Sequence, residues 1–142
     1  MTREEIATFD KVAVQLDSFY TETTVLVKKD PKAEMNVFKL KLINKVLVKA
    51  NEILGLMKPF DDFSEFDLDD IPNNGDVAMI LGQYISCLEE LRKDNVHISS
   101  GWWYWNVDGD ENSKEIRTYI PEKYKRPQIR NRPHKMTQRS KR

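Results

Sequence analysis

The sequence has few of the residues that mark secreted, metal-binding or membrane-spanning proteins. A single cysteine, Cys87, excludes an internal disulfide and a cysteine-based zinc cluster. No run of about 18 apolar residues is present, and residues 1–5 are too polar to begin a signal peptide. Only two histidines occur, His97 and His134. These absences predict a cytoplasmic protein without membrane association, and we expect no cofactor and no bound metal.

The net charge is zero, but the charges are unevenly distributed. Nine of the 23 basic residues and only one of the 23 acidic residues lie in residues 121–142. This asymmetry predicts two parts. The first is a helical domain over residues 1–120, which contains an acidic loop (60–76) and an aromatic hairpin (102–120). The second is a basic tail, rich in proline and arginine, over residues 121–142.

Three segments repeat apolar residues at the spacing of an amphipathic helix. They predict helices at about residues 2–28, 31–57 and 75–94. The first helix begins at Thr2, which forms a capping box with Glu5. Together the three helices predict a helical bundle.

The second helix is expected to begin at Asp30-Pro31, because aspartate caps helices and proline suits their first turn. Its main apolar stripe includes Phe38 and Leu42, and Leu40 and Leu47 widen that stripe. Because a wide apolar arc touches neighbours on two sides, this helix is expected to be central in the bundle.

The acidic loop contains seven acidic residues and no basic residue, interleaved with Phe60, Phe63 and Phe66. We expect the aromatic rings to hold the loop against the helices while the carboxylates face solvent. The loop lacks the spacing and the glycine of a calcium-binding loop. Docking of a basic protein partner is the functional alternative.

The aromatic hairpin is predicted from two strand-like segments that flank a turn-rich stretch. Alternation places Trp103 and Trp105 on one face of the first strand, and Trp102 and Tyr104 on the other. One face is expected to cover the helices. Trp102 and Tyr104 are then candidates for a protein interface or for stacking on nucleic-acid bases.

The basic tail is interrupted by prolines and has few apolar residues, so we expect it to be extended rather than folded by itself. Such a segment is suited to RNA, DNA or an acidic protein surface. The candidate binding residues in it are Lys123, Lys125, Arg126, Arg130, Arg132, Lys135 and Arg139.

Arg92 and His97 are separated by four residues near the predicted end of the third helix. This spacing resembles the catalytic motif of the HEPN ribonucleases, and the resemblance implies metal-independent RNA cleavage by a dimer. Lys93 stands where those enzymes usually have asparagine, aspartate or histidine. We expect Asn95 to end the helix between the two residues, which removes their common face.

The predicted fold is therefore mainly α: a three-helix bundle with a C-terminal β-hairpin and an extended basic tail. We find no other arrangement of residues typical of catalysis, and we assign no catalytic residues. The predicted function is non-catalytic binding or assembly within a larger complex that contains nucleic acid, through the basic tail and the aromatic hairpin. The alternatives are a HEPN-like ribonuclease and an adaptor or inhibitor that docks through the acidic loop.

Overall fold

Three helices form most of the part of the chain that the computed structural model describes, residues 1–125. Helix α1 spans Arg3–Lys29, α2 spans Val37–Leu54 and α3 spans Asn74–Asp94. The predicted mainly α class is confirmed. Helix α1 packs most extensively on α3 and next on α2, whereas α2 and α3 contact each other least. The central helix is therefore α1 and not, as expected, α2.

The prediction that α2 begins at Asp30-Pro31 is wrong, because Asp30 ends α1 instead. The backbone N–H of Asp30 donates to the carbonyl oxygen of Leu26 at 2.9 Å. Helix α2 begins at Val37, after Asn36, whose side chain accepts a hydrogen bond of 3.0 Å from the backbone N–H of Lys39. An asparagine cap thus replaces the expected Asp-Pro start.

The buried face of α2 is rotated from the predicted stripe. Leu40, Ile43 and Leu47 are buried, whereas Phe38 is 70% exposed. The rotation follows from the neighbours of α2, because the acidic loop packs on the same side as these residues. Asn44, also buried there, binds the backbone of that loop.

The acidic loop is held by two asparagines of α2. The Asn44 side chain donates to the carbonyl oxygen of Phe66 and accepts from its N–H, both at 2.9 Å. Two helical turns later, the Asn51 side chain donates to the carbonyl oxygen of Ser64 at 2.8 Å and accepts from the Tyr84 hydroxyl at 2.6 Å. Phe66 is buried, and the acidic side chains of residues 61–70 are exposed. The loop therefore presents its carboxylates to solvent from a fixed backbone.

The predicted hairpin is part of a three-stranded antiparallel sheet in the order β1-β2-β3, so the expectation of two strands is incomplete. Strand β1 spans Val96–Ser99, β2 spans Trp102–Trp105 and β3 contains only Arg117–Thr118. The additional strand forms because Ser100 and Gly101 have φ angles of 52° and 84°. Positive φ at both central residues is what a tight type I′ hairpin turn requires.

Helix α1 and the sheet meet at an aromatic contact. Trp105 is fully buried, and its ring meets that of Phe9 edge-on, with 4.9 Å between the ring centres. The register pairs Val96 with Trp105 and Ile98 with Trp103. The face that carries Trp105 therefore covers the helices, and Trp102 lies on the opposite face with 54% of its surface exposed.

Candidate functional site

Arg92 occupies a position that the pattern of α3 would give to an apolar residue. The buried residues Val77, Leu81, Tyr84 and Leu88 precede it at helical spacing. Its side chain is nevertheless only 7% exposed. Buried arginines need partners, because an unpaired charge is costly away from water.

Two hydrogen-bonding partners and three aromatic rings surround the Arg92 guanidinium. Its Nε donates to Glu89 at 3.0 Å, and its Nη1 donates to the Thr118 hydroxyl. The guanidinium carbon lies 5.2 Å from the ring centre of Phe9, 5.6 Å from that of Trp105 and 5.9 Å from that of Tyr119. Arg92 therefore connects α3 to α1, to β2 and to the segment that contains β3.

A surface groove lies where these elements meet, between α1 and the sheet, with a volume of about 810 Å³. We call it the aromatic groove. Its walls are Asp10, Ala13, Val14, Arg92, Gly101, Trp102, Trp103, Arg117, Thr118, Tyr119 and Ile120. Small-molecule sites typically enclose about 300–1,000 Å³, so the groove is large enough for a nucleotide-sized group.

Trp102 and Arg117 form a stacked pair in the wall of the groove. The guanidinium carbon of Arg117 lies 3.7 Å from the ring centre of Trp102. Both side chains are exposed, and Arg117 forms no ion pair with any of residues 1–125. Tyr119, also exposed, adds a second ring to the same groove. The groove thus offers aromatic surface and an available positive charge side by side.

Among residues 1–125, Asp10 is the only acidic residue in the walls of the aromatic groove. Burial raises the pKa of its carboxyl above the ordinary value, and the nearby positive charge of Arg92 partly opposes that change. Within the part of the chain that the structure describes, its carboxylate has no hydrogen-bond partner. Asp10 therefore lines the groove without an internal hydrogen-bond donor.

The predicted binding residues on the sheet have different positions. Trp102 lines the aromatic groove, as described above. Tyr104 is half-buried and stacks on His97 with 5.9 Å between the ring centres, and it does not line the groove. Nδ1 of that histidine lies 2.6 Å from the side-chain oxygen of Asn106. Tyr104 is thus occupied by contacts within the sheet.

Two predicted tail residues belong to a segment that packs against the helices. Lys125 lines a second depression, of about 210 Å³, which shares Arg92, Tyr119 and Ile120 with the aromatic groove. Lys123 lies in a separate depression beside Glu90. The remaining candidates lie outside the described residues: Arg126, Arg130, Arg132, Lys135 and Arg139.

The structure separates Arg92 from His97. Helix α3 ends at Asp94 with Asn95 as its C-cap, so the expected break is confirmed, and His97 lies in β1. Arg92 lines the aromatic groove, whereas His97 does not. Since the two side chains do not share a helix end, this arrangement does not support acid–base cleavage by the pair.

Sequence reasoning does not identify Asp10, Arg117 or Tyr119 as site residues. Arg92 has a detectable signal, because it continues the apolar stripe of α3 four residues after Leu88. Arg117 has a weaker one, since it lies beside a tryptophan-rich strand in a predicted hairpin. The sequence gives no signal for Asp10, because it resembles an ordinary polar residue next to the apolar stripe of α1.

The comparisons with known proteins identify no relative. No protein-family model, no curated protein and no solved structure matches the chain significantly. Among residues 1–125, no group of three or more histidine, cysteine or acidic side chains is arranged to hold a metal ion. No helix in the same part of the chain is long and apolar enough to cross a membrane.

Proposed function

We propose that this protein is a non-catalytic binding or assembly protein that acts within a larger complex and binds single-stranded nucleic acid there. The observation that carries the proposal is the exposed pair of Trp102 and Arg117 in the wall of the aromatic groove. Aromatic rings stack on the bases of single strands, and arginines contribute both stacking and phosphate contacts.

The charge of the basic tail supports the same function. Lys125, the last described residue, lines the depression that adjoins the aromatic groove. The sequence that follows contains seven of the basic residues of the chain and no acidic residue. A strand bound in the groove would therefore meet a run of positive charge, which strengthens binding to phosphates in a salt-dependent way.

Fluorescence anisotropy with labelled single-stranded RNA and DNA tests this proposal. We expect binding that weakens steeply as salt rises, with a smaller salt slope after deletion of residues 126–142. Trp102→Ala should weaken binding by about 5- to 150-fold, which corresponds to the loss of one stacked base. Phe38→Ala, at an exposed aromatic outside the groove, is the control and should leave affinity unchanged. Equal effects of the two variants, or no binding at low salt, would overturn the proposal.

A second candidate is an adaptor or inhibitor that docks on a basic protein through the acidic loop. It is favoured by the way Asn44 and Asn51 fix the loop backbone while its carboxylates face solvent. Neutralising Asp61, Asp62 and Asp67 as asparagines distinguishes the two functions. Groove binding of nucleic acid should survive this change, whereas capture of a basic partner such as a polylysine peptide should be lost.

A further inference from the structure

Asp10 is the acidic side chain in the wall of the aromatic groove. Its carboxylate is half-buried in the wall of the aromatic groove, and no group among residues 1–125 donates a hydrogen bond to it. Asp17, two turns later on the same helix, is exposed. A base that fills the groove would displace the water around this carboxylate, so the base must itself supply hydrogen-bond donors to avoid a desolvation cost.

The charges beside Asp10 limit what that ligand can be. Arg92 and Arg117 line the same groove, and only Arg92 has an acidic partner, Glu89. A ligand cation, such as a lysine or arginine side chain, would be a third positive charge beside two guanidiniums and would be repelled by them. A neutral group with N–H donors is not repelled. A phosphate attached to that group would be attracted by Arg117.

Guanine fits these requirements among the nucleic-acid bases. Its Watson–Crick edge presents two adjacent donors, N1–H and the 2-amino group, which match the two oxygens of one carboxylate. Adenine and cytosine place an acceptor nitrogen beside their single amino group, and that acceptor would face a carboxylate oxygen. A carboxylate therefore discriminates against both, because one oxygen is left without a donor.

We infer that the aromatic groove binds a guanine base of a single strand and that Asp10 selects it by accepting hydrogen bonds from its Watson–Crick edge. This inference rests on the proposed function of the same groove. Trp102 and Tyr119 supply the aromatic walls for the base, and Arg117 supplies the positive charge for its phosphate. Asp10 is thus a specificity-determining residue, whereas Trp102 provides affinity for any base.

The test uses the full-length chain and labelled pentanucleotides of uridine with guanine, inosine, adenine or cytosine at the centre. Guanine should bind about 10-fold or more tightly than adenine or cytosine, because a bidentate contact gives discrimination of that order. Inosine, which lacks only the 2-amino group, should be intermediate. Asp10→Asn should remove most of the preference, and the matched control Asp62→Asn, in the exposed acidic loop, should keep it.

The outcomes separate this inference from the proposed function. If all four central bases bind with equal affinity and Trp102→Ala still weakens binding, only the selection by Asp10 is overturned. The proposed function of the groove then stands. Absence of binding to every pentanucleotide overturns both proposals. The inference is also overturned if an arginine-rich peptide binds more tightly than the guanine pentanucleotide and Asp10→Asn abolishes that binding. Asp10 would then recognise a protein. Thermal melts of each variant confirm that the chain is folded.

Discussion

The guanidinium carbon of Arg92 lies 5.2 Å from the ring centre of Phe9, so a buried cation packs directly on the central helix. The same guanidinium donates hydrogen bonds to Glu89 and to Thr118. Arg92 therefore holds together the elements that form the groove, and its side chain is also part of the groove wall. Stability and binding are coupled at this residue, and variants must be designed to separate them.

Arg92→Ala should lower the free energy of unfolding by about 3 kcal/mol, because it removes the buried ion pair with Glu89 and the hydrogen bond to the Thr118 hydroxyl. Arg92→Met, which keeps the apolar packing, should cost less. Urea denaturation measures both. Arg117→Ala, at the exposed arginine of the groove, is the control and should change stability by less than about 0.5 kcal/mol. Comparable losses from Arg92→Ala and Arg117→Ala would contradict the supporting role of Arg92.

Asn44→Ala should destabilise the chain by about 2 kcal/mol, since it leaves the N–H and the carbonyl of the buried Phe66 without hydrogen bonds. The acidic loop should also become a preferred site of limited proteolysis. Asn112→Ala, at an exposed turn position, is the control. If both variants unfold at the same urea concentration, Asn44 does not anchor the loop.

Two glycine-to-alanine changes should have opposite signs. Gly101→Ala should cost about 1 kcal/mol, because its φ of 84° strains a residue with a Cβ although no atom lies within 4 Å of that position. Gly82→Ala should stabilise by about 0.5–1 kcal/mol, because it lies inside α3 and its Cβ would meet only Tyr20, at an ordinary 3.5 Å. Thermal melts compare the two. If Gly101→Ala is as stable as the original chain, the type I′ turn is disproved.

The helices could be predicted because their signals are local. The Thr2 capping box and the Asn95 C-cap act within one helical turn, and the structure contains both. The start of α2 and strand β1 depend on more distant groups. Asp30 is the C-cap of α1 and so does not begin α2. Val96–Ser99 becomes a strand only by pairing with β2. Short strands have little preference of their own, so periodicity does not reveal them.

The candidate site could be predicted only in part. Alternation along β2 places Trp102 on the exposed face, and the structure agrees. The groove itself forms between α1 and the segment around β3, which are at opposite ends of the described chain. No pattern in the sequence indicates that Asp10 and Arg117 line one groove, because their proximity arises from the packing of the whole fold.

Asp10→Asn should stabilise the chain at pH 7, because burial raises the pKa of the Asp10 carboxyl in the folded state. The folded chain then holds the proton more tightly than the unfolded chain. The stability linked to this group is present at low pH and is lost as pH rises through the folded pKa. The advantage of the variant should therefore shrink as pH falls towards the ordinary value of 3.8.

Urea denaturation between pH 4 and about pH 7 measures this dependence. Glu90→Gln provides a control of opposite sign, because a hydrogen bond from Lys93 lowers the pKa of the Glu90 carboxyl. That variant should be slightly less stable than the original chain at pH 7 and equal to it at low pH. A loss of stability at pH 7 on replacing Asp10 would show that its carboxylate has a donor in the folded chain.

The segment of residues 121–125 packs against the helices, although the charge pattern places it in the basic tail. Pro121 is buried, and the ring of Tyr124 stacks on Trp103 with 5.6 Å between the ring centres and 10° between the planes. The backbone N–H of Glu122 donates to Glu89 at 3.3 Å. The stable part of the chain therefore extends beyond the change in charge.

Two shortened chains test where the stable part ends. A chain that ends at residue 125 should unfold at the same urea concentration as the full-length chain, because residues 126–142 have few apolar side chains to bury. A chain that ends at residue 120 should lose about 1–3 kcal/mol, through exposure of Trp103 and loss of the ring stack. Tyr124→Ala in the full-length chain should reproduce about 1 kcal/mol of that loss. Equal stability of both shortened chains would mean that residues 121–125 belong to the tail, and the depression that contains Lys125 would then not be a fixed continuation of the aromatic groove.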